Sequence, residues 1–251
     1  LQLPLEPDVE KGWKPYFLFR GFTSEMKSLA CHASTLIQGH TPHHPHMHKE
    51  EEILLLLDGE VDIIISDGVT PHETKRRRLK RGEFVYYPSN FAHTLQTMSE
   101  VPANYMMYKW YAHSKENKAA LNFGHYKVLK WLSETEGKKG FCTHLLFEGP
   151  TVFLKKLHCH ITSLSPQAGY EPHVDDYDVS IIVLEGEIET LGKRIGPHSV
   201  IYYAAGEPHG MYNPGEVVAK YIVFEFHGHP SILVRIFKRF VSLISRLRKK
   251  T

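Results

Sequence analysis

FRGFTSEMKSLACHASTL, residues 19–36, and FEGPTVFLKKLHCHITSL, residues 147–164, are two versions of one segment. Phe19, Gly21, Thr23, Leu29, Cys31, His32 and Leu36 return as Phe147, Gly149, Thr151, Leu157, Cys159, His160 and Leu164 at one constant offset. A single residue then drops out of the following loop, after which His46 matches His173 and Leu57-Asp58-Gly59-Glu60 matches Leu184-Glu185-Gly186-Glu187. Unrelated segments do not hold register in this way, so the chain reads as two copies of one structural unit. The boundary falls between about Lys115 and Gly140, a stretch rich in Lys, Glu, Asn and Gly.

Each copy reads as β. Ile53–Leu57 and Val61–Ile65 are short apolar runs around Asp58-Gly59, a turn-forming dipeptide, and Val179–Leu184 and Glu187–Thr190 repeat the pattern around Glu185-Gly186; both predict hairpins. Further strands are expected at Glu83–Tyr87, Tyr105–Trp110, Val200–Tyr203 and Val217–Phe226, between Pro, Gly and Asn signals. Many short strands at regular spacing predict a barrel or sandwich in each half. The tail is different: Leu233, Ile236, Phe237, Phe240, Val241, Leu243, Ile244 and Leu247 fall at helical spacing with Arg235, Lys238, Arg239, Arg246 and Arg248 between them, which predicts one basic amphipathic helix.

With 251 residues the chain can form two domains, each large enough for its own core. Hydrophobic residues at 42% and charged residues at 23% are ordinary for a globular protein, and no apolar run approaches a membrane span. A net charge of +2 makes the whole protein no polyanion binder. Cys31, Cys142 and Cys159 fit neither a disulfide framework nor a metal finger, which points to a reducing, cytoplasmic setting. The unusual count is 18 histidines, six of them between His32 and His48. Imidazole is the commonest transition-metal ligand, so the question is which of them converge.

Alternate residues of a strand share a face, so His46, His48, Glu50 and Glu52 project together if their segment is extended. A fourth ligand is available from the turn Pro88-Ser89-Asn90-Phe91-Ala92-His93. Imidazoles with one carboxylate suit a divalent Fe, Mn, Zn, Ni or Co ion. His40, His43 and His44 lie in a Pro-broken loop without strand register and read as surface residues, whereas His32 and His160 read as satisfied core histidines or as inward groups supporting the ligands.

Gly39, His46-x-His48, Glu52 and Gly59 resemble the first motif of the cupin superfamily, and Gly82, Pro88-x-Asn90 and His93 resemble the second. The resemblance implies an all-β chain of two tandem double-stranded β-helix barrels of the jelly-roll type, a bicupin, with a C-terminal amphipathic helix. Domain boundaries follow at 1–125, 126–230 and 231–251. It further implies that the first barrel holds its metal through His46, His48, Glu52 and His93. The six-residue gap after Gly39, where five is usual, loosens only the preceding loop.

The second copy departs from the pattern. His173-x-Asp175 replaces His-x-His, Val179 stands in the place of the Glu, and His209 closes a degenerate second motif. The site has either decayed into a scaffold or become a facial triad of His173, Asp175 and His209. The triad ordering also resembles two-oxoglutarate oxygenases, with Lys220 as a partner for the cosubstrate carboxylate. Tyr170, Tyr177, Tyr202 and Tyr203 are candidates for lining such a pocket.

Lys75–Arg81 reads as a solvated strand face rather than a nucleic-acid contact. The basic tail helix could lie on an anionic membrane surface, cover a barrel or pair two subunits as a homodimer. Function is expected to be that of a metalloenzyme (oxygenase, isomerase or lyase) acting on a small polar metabolite, with Glu50 the candidate base. The alternatives are a non-catalytic ligand-binding or sensing module and a storage role, since a fold alone names no reaction.

Overall fold

Runs of β-branched and aromatic residues punctuated by Gly, Pro and Asn fold as strands along the chain. The computed structural model describes residues 1–66, 74–112, 120–128 and 140–229. In its first half lie β1 (Trp13–Gly21), β2 (Met26–Leu36), β3 (Glu51–Asp58), β4 (Glu60–Ser66), β5 (Thr74–Lys80), β6 (Glu83–Tyr87), β7 (His93–Gln96), β8 (Ala103–Ala112) and β9 (Gly124–Lys127). In its second half lie β10 (Phe141–Gly149), β11 (Lys156–Leu164), β12 (Gly169–His173), β13 (Asp178–Glu185), β14 (Ile188–Thr190), β15 (Lys193–Ile195), β16 (Val200–Tyr203), β17 (His209–Tyr212) and β18 (Ala219–His227).

The first half forms sheets β1-β2-β8-β3-β6-β9 and β5-β4-β7; the second forms β10-β11-β18-β13-β16 and β12-β17-β14-β15. The sequence repeat survives in the pairing. β1 runs against β2 from Trp13↔Leu36 to Gly21↔Leu29 with a slip between Phe17 and Phe19, and β10 runs against β11 from Phe141↔Leu164 to Gly149↔Leu157 with a slip between Leu145 and Phe147.

The two expected hairpins are not hairpins. β3 pairs with β6 and β8, whereas β4 pairs with β5 and β7, so Asp58-Gly59 carries the chain from one sheet to the other. Glu185-Gly186 does the same between β13 and β14. The dipeptide sets a local bend, but which strand becomes the neighbour is decided by long-range packing. Gly59 has φ +78°, and a Cβ there would stand 2.9 Å from Ala103 Cα; Gly39 has the same φ with nothing within 4 Å. Gly39→Ala therefore tests the left-handed backbone alone and Gly59→Ala adds the collision. Urea unfolding should show a loss of about 1 kcal/mol for the first and about 2–4 kcal/mol for the second; equal losses would remove the steric part of the argument.

Alternation assigns the faces. On β11, Leu157, Cys159 and Ile161 enter a core shared with Ile53, Phe84, Tyr108, Trp110, Phe224 and Phe226, so the two halves are joined by one apolar cluster. Each half also has a core of its own, around Leu54, Leu56, Val85 and Tyr105 in the first and Val179, Ile181, Tyr221 and Val223 in the second. Polar groups tie the shared cluster reciprocally. Thr151 Oγ1 donates to Glu51 at 2.6 Å, and its repeat partner Thr23 donates to Asp178, the residue corresponding to Glu51.

Lys75, Arg76, Arg77 and Arg78 on β5 are exposed, and Arg78 bonds Asp62 and Glu60 on the neighbouring strand, which is the solvated face expected. Cys31, Cys142 and Cys159 are free thiols, and burial pushes Cys31 up to about 12. The helix expected over 231–251 lies outside the described residues, as do 113–119 and 129–139 of the boundary stretch. Among the described residues no helix is long and apolar enough to cross a membrane.

Candidate functional site

The start of β3 decides the geometry of the first-half site. Glu51 and Glu52 are consecutive in a strand and so point to opposite faces. Glu51 enters the shared core, while Glu52 faces the interior of the first half and is wholly buried. Three histidine and carboxylate side chains converge there: the ligand-type atoms of His48, Glu52 and His93 all lie within 4.8 Å of one another. His48 Nε2 is 3.1 Å from Glu52 Oε2 and His93 Nε2 is 3.4 Å from Oε1.

The far edge of each ring fixes its proton. His48 Nδ1 meets the carbonyl of Glu50 at 2.9 Å and His93 Nδ1 meets that of Phe91 at 2.8 Å. A carbonyl can only accept, so both Nδ1 atoms carry hydrogen and the neutral rings present bare Nε2 lone pairs to a carboxylate. Lone pairs facing a carboxylate need a positive centre among them, either extra protons or a cation. Glu52 Oε1 moreover has no hydrogen-bond partner although it is buried, a costly state that a bound ion would relieve. The residues fit a divalent ion. Tyr87 stacks on His93 with centroids 4.0 Å apart and an interplanar angle of 11°, which locks the ring.

His46 stands beside this trio rather than within it. It bridges to His93 through the backbone, its side chain is exposed, and its ring centroid lies 5.4 Å from that of His48. The extended register expected over 46–52 is interrupted, since β3 begins only at Glu51. Glu50 accordingly sits at the Nδ1 edge of His48, 3.7 Å away, with its side chain 45% exposed, and not with Glu52.

Sequence reasoning missed Lys109. Its Nζ lies 3.2 Å from Glu52 Oε2, delivered by the β3–β8 register that pairs Glu52 with Lys109. A lysine continuing the inward row Tyr105, Met107 was the available signal. Burial alone would raise the Glu52 carboxyl, yet the facing His48 and His93 imidazoles and the Lys109 ammonium hold it well below the usual carboxylate range. His32 lies in the same field, and burial lowers it against the attraction of Glu52.

In the second half, Asp175 Oδ2 is 3.5 Å from both His173 Nε2 and His209 Nε2. His209 Nδ1 meets the Glu207 carbonyl at 3.0 Å, and Tyr203 stacks on the ring at 4.1 Å, as Tyr87 does on His93. These three residues border a cavity of about 350 Å³ with Tyr170, Tyr177 and Tyr221. His160 and Glu225 are on its wall too; burial pushes His160 down to about 4. Tyr202 instead packs against the shared core. Lys220 cannot serve a cosubstrate there: it lies on the opposite face of β18 from Tyr221, Val223 and Glu225 and pairs with Glu185 at 2.9 Å. The two-oxoglutarate alternative thereby loses its anchor.

Residues 34–108 match the cupin domain family. The fold is that of solved cupin structures. A cupin 2 conserved barrel domain protein from Leptotrichia buccalis superimposes with TM-score 0.60 at 13% identity, covering 85% of this chain and 88% of that one. A point mutant of Bacillus subtilis oxalate decarboxylase gives TM-score 0.60 at 14% identity, covering 91% and 76%. Another structure of that decarboxylase, whose study concerned its Mn(II) centres, gives 0.56 at 14% identity, covering 83% and 71%. No curated protein sequence matches the chain.

Proposed function

We propose that the chain is a bicupin metalloenzyme, with one barrel in each half, whose first barrel uses a divalent transition-metal ion to act on a small polar metabolite. The observation that carries this reading is the buried Glu52 Oε1, without a hydrogen-bond partner and set between the His48 and His93 imidazoles. His48, Glu52 and His93 would hold the ion, with His46 at the entrance completing the set. A bound ion would supply Lewis-acid polarisation or redox chemistry of the oxygenase, isomerase or lyase kind.

The chain's own groups do the rest. The Glu50 and Phe91 carbonyls keep the ligand lone pairs pointed inward. Tyr87 excludes water from one side of His93. Lys109 offers a fixed positive charge to an anionic oxygen on the substrate. The partner is thus a small molecule rather than nucleic acid, a homodimer being the expected assembly. The Mn(II) centres named for the decarboxylase agree with the donor set.

Lys109 also favours a second reading, because its ammonium already neutralises part of Glu52. On that reading the pocket binds a ligand without turnover. Elemental mass spectrometry of untagged protein, purified without added metal, separates the two. About one Fe or Mn per chain, lost in His46→Ala/His48→Ala, is the expected result; no metal in the parent would favour the binding module.

A further inference from the structure

One row of residues across the large sheet has been rewritten between the two halves. In the first half it runs Ala30, Lys109, Glu52 on β2, β8 and β3. At the same place in the second half it runs His158, Glu225, Val179 on β11, β18 and β13. The carboxylate has moved one strand over, the lysine is gone, and an imidazole stands in the place of an alanine. His160, two residues along β11, shares the face of His158.

These side chains converge. His158 Nε2 is 3.1 Å from His160 Nδ1, His160 Nδ1 is 3.9 Å from Glu225 Oε1, and the ligand-type atoms of all three lie within 4.8 Å of one another. They are mostly withdrawn from solvent, with side chains 20%, 13% and 15% exposed for His158, His160 and Glu225. Two atoms bound at about 2.1 Å to a tetrahedral ion stand roughly 3.4 Å apart, so the His158–His160 and His160–Glu225 separations differ from that spacing by about 0.3 and 0.5 Å.

The surrounding groups orient it for an ion. His158 Nδ1 contacts Glu148 Oε2 at 2.8 Å, and since the carboxylate accepts, the proton stays on Nδ1 and Nε2 accepts the 3.1 Å hydrogen bond from His160 Nδ1, whose proton an incoming ion would displace. His227 Nε2 occupies Glu225 Oε2 at 2.9 Å and leaves Oε1 to the site. His227 is braced in turn by Tyr177, whose ring centroid is 3.8 Å away. Among the described residues the ion pairs of Glu225 are with imidazoles, not with Lys or Arg. A carboxylate of this kind, with two imidazoles, is the composition of a two-histidine, one-carboxylate centre.

We propose that His158, His160 and Glu225 form a second metal site for a divalent first-row ion such as Zn(II), Co(II) or Fe(II). It is independent of the first-half trio and separate from His173 on β12, Asp175 in the following loop and His209 on β17, which border the same cavity. The set leaves coordination positions open toward that cavity, so a small oxygen ligand there would meet the ion directly.

Co(II) titration of metal-stripped full-length protein tests this, read by equivalents bound and by the visible ligand-field absorption of protein-bound Co(II). In a His48→Ala/His93→Ala background, which disables the first-half trio, about one equivalent should still bind. Glu225→Gln in that background should abolish it or weaken it at least about 10-fold, while His173→Ala/His209→Ala should leave it in place. Circular dichroism checks the fold of each variant, and His160→Ala replaces Glu225→Gln should the latter not fold. Binding by folded Glu225→Gln or His160→Ala equal to that of its parent overturns the site. So does loss of the equivalent in His173→Ala/His209→Ala with retention in Glu225→Gln. Failure of the first-half metal reading would leave this titration unchanged, so the two are distinguishable.

Discussion

Glu52→Gln should empty the first-half site. The amide keeps the shape of the side chain but removes the charge around which His48, His93 and Lys109 are gathered. Loss of the only anionic ligand should weaken metal at least about 100-fold, more than loss of an outer group costs. The effect also appears as stability, because an ion that binds only the folded state contributes about 2.7 kcal/mol when present at 100 times its dissociation constant. Thermal unfolding with and without a chelator should therefore separate for the parent and coincide for Glu52→Gln. Lys109→Met supplies the contrast. If the carboxylate served only to neutralise Lys109, Lys109→Met would be as damaging as Glu52→Gln; on the metal reading it leaves the ion bound and strips only the fixed charge offered to substrate. Equal metal content in the parent and Glu52→Gln would end the metal reading of this trio.

What could be read in advance follows from the range of the interactions involved. The repeat was legible because the β1–β2 and β10–β11 pairings place the same demands at the same positions, and Gly21 opposite Leu29 returns as Gly149 opposite Leu157. His48 and Glu52 were legible because their spacing is local and their chemistry unusual, and His93 because it closes a separate Pro- and Asn-marked turn. Lys109 and Glu225 were not: each is one polar residue in an apolar strand, and alternation tells which residues share a face without telling what that face meets. Only the register of β8 against β3, or of β18 against β11, makes Lys109 a neighbour of Glu52 and Glu225 a neighbour of His158. The misplaced hairpin at Asp58-Gly59 has the same origin, a local turn signal being mistaken for a choice of strand partner. His46 and Glu50 were grouped with Glu52 on an extended register that the chain abandons before Glu51.

Glu51 shows the alternation rule carrying more than was asked of it. With Glu52 facing the interior of the first half, Glu51 beside it in the strand faces the other way, into the apolar cluster, and must be buried with partners. It is: Tyr86 Oη donates at 2.6 Å, Trp110 Nε1 at 2.8 Å, Thr151 Oγ1 at 2.6 Å and the Val152 amide at 2.8 Å. Burial raises its carboxyl against the lowering effect of those donors. Two donors come from the first half and, with the Phe153 amide at 3.4 Å, three from the second, so one carboxylate fastens the halves together. Glu51→Ala strands all of them in the apolar cluster, at about 1–3 kcal/mol for each donor left unsatisfied. Even with relaxation the loss should reach at least about 3 kcal/mol, a large fraction of the roughly 5–15 kcal/mol typical of folded proteins. The urea midpoint should fall accordingly, and a change below about 1 kcal/mol would show that water or rearrangement satisfies the donors instead. Asp178→Ala removes the reciprocal contact to Thr23 and the hydrogen bond from the Ala205 amide at 2.8 Å. With fewer donors stranded, it should cost less, about 2 kcal/mol. Metal affinity should fall in Glu51→Ala but not in Asp178→Ala, because Glu51 anchors the residue beside Glu52, whereas Asp178 leads into Val179, which has no ligand to position.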